Sequence, residues 1–174
     1  MRIACVLGPG FEDSEFRVPY DAFRKAGHQV TVIGLQKGQE LRGDKGREKV
    51  VTEAGVDDVR ADDFDALFIP GGGSPDKLRF DDRMVRFVKQ FSTKPIFAIC
   101  HGPQLLITAD MVRGRTMTAW KTVQVDLRNA GANVVDREVV SDANLVTSRK
   151  PEDLPAFVRE ALAHLGTAAE AHPQ

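Results

Sequence analysis

Cysteine is scarce in this chain: Cys5 and Cys100 are the two in 174 residues. They stand far apart and form neither a CxxC pair nor a metal-ligand spacing. That excludes a disulfide framework and a cysteine-built metal site. A dominant charge is also missing, since 24 Lys+Arg face 25 Asp+Glu. With no basic stripe or aromatic-interleaved patch, a nucleic-acid-binding protein is not expected. No apolar run is long enough to span a bilayer, so no membrane role is expected. The segment Met1-Arg2-Ile3-Ala4-Cys5-Val6-Leu7 looks superficially like a short signal. It runs at once into Gly8-Pro9-Gly10 and acidic residues without a cleavage site, and reads as a buried first strand. A cytoplasmic protein is the expectation. Repeats and low-complexity linkers are absent too. What is plentiful is apolar material, 42% of residues, enough for a full core without staples. One domain over 1–166 is expected, followed by a small, polar, disordered tail over 167–174.

Apolar runs alternate with helical stretches from end to end. Residues 2–7 predict a strand. Asp13 or Ser14 caps a helix to about Ala26, with Phe16, Tyr20 and Phe23 at helical spacing and Gly27 as its stop. Gln29–Leu35 is a second strand, and residues 36–56 are a glycine-punctuated hairpin excursion. Ala66–Ile69 and Pro95–Ile99 are further buried strands. Asp81 caps a helix over roughly 82–92 with Met84, Val85 and Val88 inward. Helix resumes at Gln104–Ala109, near Val123–Ala130 and from Pro151 to about Gly166. Short strands are expected at Thr116–Ala119, Val134–Val135, Val139–Val140 and Leu145–Thr147. This βαβ alternation predicts a mostly parallel sheet covered on both faces. Loops 8–13, 70–76 and 100–103 then meet at its carboxyl edge, where such sheets bind ligands.

The segment Ile96-Phe97-Ala98-Ile99-Cys100-His101-Gly102-Pro103 places a thiol where a buried strand turns into a helix. A nucleophile elbow has this form. The free amides of the helix start favour an anion there, so Cys100 is expected to ionise more readily than a free cysteine. Cys5, mid-strand between Ala4 and Val6, reads as a structural core residue. His101 is the natural acid or base. Gly71-Gly72-Gly73 reads equally as an oxyanion-binding loop or as a tight strand exit. Glu12 reads on its own as a helix-start carboxylate, or as a half-buried acid with a raised pKa. His28, His164 and His172 read as surface histidines, and Asp57-Asp58 and Asp62-Asp63 as solvated charges. No metal site is expected.

Ala98-Ile99-Cys100-His101-Gly102-Pro103-Gln104-Leu105-Leu106-Ile107 resembles the signature of the PfpI-type intracellular protease family. That family lies within the class I glutamine-amidotransferase-like superfamily. Gly10-Phe11-Glu12-Asp13, Pro70-Gly71-Gly72, Arg113-Gly114-Arg115, Asn129-Ala130-Gly131 and Val146-Thr147-Ser148-Arg149 follow in family order. Ser74-Pro75-Asp76 and Asp153-Leu154-Pro155-Ala156-Phe157 most resemble bacterial general stress proteins assigned as deglycases. The resemblance implies a flavodoxin-like three-layer sandwich with Cys100 as a strained nucleophile. It also implies Glu12 beside the sulfur and oxyanion donors at Gly72 and His101. In protease members a neighbouring subunit's glutamate orients the histidine; Asp76 stands at that position here, which implies a homodimer or larger oligomer. Trp120 replaces a tyrosine and lines the pocket with Gly71 and Gly73.

The function implied is a stress-response enzyme acting on 2-oxoaldehydes or their protein and nucleotide adducts, with no cofactor. A cysteine peptidase using the same thiolate and a non-enzymatic peroxide sensor are the alternatives.

Overall fold

The structure, a computed structural model, describes residues 1–166; the expected tail over 167–174 lies outside the described residues. In chain order the elements are β1 (Arg2–Val6), α1 (Asp13–Lys25), β2 (Gln29–Gly34), β3 (Glu40–Arg42), β4 (Lys49–Val51) and β5 (Ala54–Gly55). Then follow β6 (Ala66–Ile69), α2 (Ser74–Arg79), α3 (Asp82–Lys89), β7 (Ile96–Ile99) and α4 (Pro103–Thr108). The chain closes with β8 (Thr116–Met117), α5 (Lys121–Asn129), β9 (Asn133–Val134), β10 (Val140–Asp142), β11 (Leu145–Ser148) and α6 (Leu154–His164). The central sheet has the order β10-β11-β7-β6-β1-β2-β5, parallel throughout except for β10.

Alternation along the strands decides which helix packs where. Ala4 and Val6 of β1, Leu67 and Ile69 of β6, and Ile96 and Ala98 of β7 share one core with Leu78, Met84, Val88, Leu105 and Leu127 of α2 to α5. Ile3 and Cys5, Phe68, and Phe97 and Ile99 point the other way, onto Phe16 and Phe23 of α1 and Phe157 and Leu162 of α6. Both faces are therefore covered, as the strand pattern requires. Each fully buried phenylalanine on the second face contributes roughly 2–3 kcal/mol of transfer free energy.

The chain leaves β1 for β2 on one side and later returns to β6 on the other. The order reverses between β1 and β6, and the gap beyond these strands' carboxyl ends is where sheets of this kind bind ligands. Phe11 and Gly72 pair across it as an isolated antiparallel bridge.

Three local expectations are corrected. The segment 70–76 is not all loop: α2 begins at Ser74, with Pro75 in its first turn and Lys77 and Arg79 in its last. In α3, Met84 and Val88 are buried and half-buried Val85 packs against the same core, but the inward set also includes the buried Phe87. The cap of α1 is Glu12, not Asp13 or Ser14. Asp13 is turned into the β3–β4 hairpin, where its carboxylate accepts the N–H groups of Lys45, Arg47 and Glu48 at 2.7–2.8 Å. Among the described residues, no helix is long and apolar enough to cross a membrane.

Candidate active site

Cys100 lies between the end of β7 and the start of α4, with φ of 64°. An L-residue in this left-handed region costs on the order of 1 kcal/mol, so the surroundings must hold it there. They do so from two sides. The Cys100 N–H donates to the Ser148 carbonyl of β11 at 2.9 Å, and its carbonyl accepts the Trp120 N–H at 2.9 Å. Gly102 is required by packing: a β-carbon there would stand 2.6 Å from the Ile69 carbonyl oxygen. Gly71 is required for a more telling reason. A β-carbon at Gly71 would run into the Glu15 carboxyl and lie 2.9 Å from the Cys100 β-carbon.

The carboxyl beside the sulfur is therefore that of Glu15. Its side chain is fully buried, Oε1 accepts the Gly71 N–H at 3.1 Å, and it couples to the Cys100 thiol by charge and by hydrogen bonding. Oε2 is buried with no aligned hydrogen-bond donor among the described residues. Burial, and behind it the charge of Glu12, push the Glu15 carboxyl up to about 8; its bonds to Cys100 and Gly71 pull the other way. At neutral pH Glu15 carries a proton.

Glu12 does not occupy that place. Its Oε1 accepts the N–H groups of Ser14 and Glu15 at 2.8 and 3.0 Å, and Oε2 pairs with Lys45. Burial works against its charge, but the bonds from Lys45, Ser14 and the Glu15 amide outweigh burial and hold the carboxyl below its usual value. Glu12 is the helix-start carboxylate. Glu15, Pro19 and Phe23 are all buried at i, i+4 and i+8, so an acid on the apolar stripe of α1 was the signal that could have found Glu15.

At the sulfur itself, burial raises the thiol, and an ionised Glu15 raises it further as charge and as acceptor. The amides of His101 and Gly72 reach the sulfur and favour the anion. The two contributions from Glu15 exist only while that carboxyl is ionised. Once protonated, it becomes a donor and sides with the two amides against burial. The helix start alone does not make Cys100 a free-standing thiolate, contrary to the simple expectation; its ionisation is tied to Glu15.

His101 Nδ1 lies 3.4 Å from Cys100 Sγ, and burial lowers the ring's pKa, so it is neutral at pH 7. The Trp120 ring stacks against it, with centroids 6.3 Å apart and planes at 27°. Cys100 is 6% exposed, under half-buried Gly72 and His101. Gly73 donates its N–H to the Gly10 carbonyl at 2.8 Å and closes the loop against β1. Asp76 is exposed on α2, and its carboxylate has no partner among the described residues, His101 included.

The other histidines divide. His28 is not a surface residue: it is 7% exposed, with Nδ1 2.9 Å from the N-terminal ammonium. His164 is half-buried and bonds Ser141 Oγ at 2.8 Å, and His172 lies outside the described residues. Among the described residues no group of His, Cys, Asp and Glu is disposed to hold a metal ion.

The fold and this corner define an α/β protein with a cysteine elbow at the switch point of a parallel sheet. The sequence profile of the DJ-1/PfpI family matches residues 1–164, and the chain belongs to that family. It is 56% identical over 167 residues to general stress protein 18 of Bacillus subtilis, covering 94% of this chain and 97% of that one. It is 55% identical over 168 residues to protein/nucleic acid deglycase 2 of Escherichia coli, covering 95% and 98%. A crystal structure of a two-domain protein from Anabaena variabilis, with DJ-1/ThiJ/PfpI-like and ferritin-like domains, superposes with a TM-score of 0.95 at 37% identity. The match covers 99% of this chain and 50% of that one.

Proposed function

We propose that the chain is a cysteine-dependent enzyme that converts 2-oxoaldehydes, free or as early adducts on proteins and nucleotides, into 2-hydroxy acids. The observation that carries this is one sulfur shared by a protonated carboxyl, a neutral imidazole and two backbone amides, at Cys100, Glu15, His101 and Gly72. The similarity to a protein named as a deglycase supports the same chemistry.

In the proposed reaction the Cys100 sulfur attacks the aldehyde carbon of methylglyoxal, and the new oxyanion takes a proton or rests on the Gly72 and His101 amides. Neutral His101 accepts the hydrogen of that carbon as a proton and returns it to the neighbouring ketone carbon. The first carbon is oxidised and the second reduced, so no external redox partner is needed. The product is a lactoyl thioester, which water cleaves to lactate and the free thiol. The proton that Cys100 gives up on attack ends on the lactoyl hydroxyl, and water supplies the one on the released thiol. Glu15 keeps its own proton throughout and donates a hydrogen bond to the sulfur while that atom carries charge. Early hemithioacetal and hemiaminal adducts dissociate to free aldehyde, so removal of aldehyde also clears adducts. Asp76 belongs to this proposal as a group that orients His101 from a neighbouring subunit, which makes the working form a homodimer or larger. Scarce cysteine and balanced charge fit a cytoplasmic setting.

The test is incubation of wild-type and Cys100→Ala protein with methylglyoxal and, separately, with unfolded casein. Lactate from the wild type, reduced at least ~10³-fold in the variant, is the expected result. Casein cleavage without lactate would establish the peptidase instead, and Cys100-dependent peroxide uptake with neither turnover would leave only a sensor. Sizing the active preparation should give at least a dimer; a fully active monomer removes Asp76 from the scheme.

A further inference from the structure

Cys100 is held at both of its backbone groups, and each hold runs outward through one more peptide plane to a buried side chain. On the carbonyl side, the Cys100 oxygen accepts the Trp120 N–H at 2.9 Å. That N–H belongs to the same rigid peptide unit as the Ala119 carbonyl, so a bond that fixes one orients the other. Gln124, 7% exposed in the first turn of α5, donates from Nε2 to the Ala119 oxygen at 3.1 Å. On the amide side, the Cys100 N–H donates to the Ser148 carbonyl at 2.9 Å. The N–H of that peptide unit is Arg149's, and it donates to Asp153 Oδ2 at 3.0 Å. Asp153 is 2% exposed and also accepts from Arg149 Nε and Nη2 at 3.0 and 3.1 Å. Asp136 Oδ1 joins the two limbs, accepting from Gln124 Nε2 at 3.1 Å and from Arg149 Nη1 at 3.2 Å.

The carbonyl limb has one further link. The Cys100 carbonyl and the His101 N–H form one peptide unit, and the His101 amide is one of the two that favour the sulfur anion. The series therefore runs from the Gln124 side chain through the Ala119–Trp120 and Cys100–His101 peptides to the sulfur. Hydrogen bonds in series polarise one another, so the first link bears on the last. We infer that Gln124 is a positioning residue for the Cys100 nucleophile, aiming the His101 amide at the sulfur through two peptide planes, with Asp153 as its counterpart on the amide side. The inference rests on Cys100 being the nucleophile proposed above.

The test reads the thiol itself, without turnover. Cys100 is alkylated with iodoacetamide from pH 5 to 10 and followed by mass spectrometry, with fully buried Cys5 as the internal reference. Glu15 from α1 and His101 are the titratable groups facing the sulfur, and neither is changed. Gln124→Met keeps the length of the side chain and removes its donors. It should react about tenfold more slowly at pH 7, with the inflection moved up by about one pH unit. Asp153→Asn keeps the shape and loses the charge-assisted bonds, and should slow the reaction about threefold. Val88→Ala, a buried core change in α3, should melt lower and keep the wild-type profile. A Gln124→Met protein that alkylates like the wild type at every pH would overturn the inference, even if its melting temperature falls. Slowing of the same size in Val88→Ala would overturn it too. If Gln124→Met does not fold, Asp153→Asn decides, and a wild-type profile there overturns the inference. Failure of the catalytic reading shows separately, as absent lactate from a wild-type protein whose Cys100 still alkylates.

Discussion

The two cysteines face the same core and lie two strands apart, yet they do opposite things. Cys5 sits mid-strand in β1, fully buried, and burial pushes its thiol well up; the Glu53 charge adds to this. Cys100 stands one residue past the end of β7, with a left-handed backbone, two amides, an imidazole and a carboxyl around its sulfur. Burial alone therefore says little about a thiol. What separates the two is where the strand ends and which polar groups are turned inward at that point.

The sharpest way to break the contrast is through the carboxyls. Glu15→Gln should lower kcat for methylglyoxal by about 10²-fold, because it removes a proton-carrying group from the sulfur. Glu12→Gln should cost about 1 kcal/mol of stability through the weakened cap, with a far smaller change in kcat. If the two variants trade places, the assignment of Glu15 fails. A second contrast concerns backbone strain. Glycine tolerates the left-handed conformation, so Cys100→Gly should be less destabilising than Cys5→Gly by about 2 kcal/mol in urea unfolding. Equal losses would mean that the corner is not strained.

The smallest expected effect is on the pH dependence of stability. Glu15 is raised in the folded state, so the folded protein holds this proton more tightly than the unfolded chain. Its contribution is fully present below about 4.5 and is lost as the pH rises through about 8. Wild-type protein should therefore lose stability relative to Glu15→Gln between pH 5 and 8. His28 and His101, both lowered, act in the opposite direction over part of that range. The difference between wild type and variant isolates Glu15. A flat difference across the window would show that Glu15 is ionised throughout.

Much of this was legible in the sequence, for identifiable reasons. The strand-to-helix corner at Cys100 shows because a continuous apolar run breaks at a His-Gly-Pro suited to a helix start. The parallel sheet shows because β1, β6 and β7 are apolar on both faces. Glu12 was not the acid beside the sulfur, because an N-cap carboxylate and a buried carboxyl facing Cys100 are the same residue type three positions apart. Only the phase of the α1 stripe, carried by Pro19 and Phe23, tells them apart. His28 was misread because its ring sits against the N-terminal ammonium, a contact across 27 residues that no local pattern encodes. The bonds from Gln124 and Asp153 run to Cys100 through backbone groups, and a linear reading does not bring these segments together.

The most direct measurement is infrared difference spectroscopy of the carboxylic-acid stretch in wild-type, Glu12→Gln and Glu15→Gln protein, titrated from pH 5 to 10. The account predicts a buried protonated carboxyl at pH 7 in wild type and Glu12→Gln. That band should be missing in Glu15→Gln and should fade as the pH passes about 8. A Glu15 found as a carboxylate at pH 7 would contradict it.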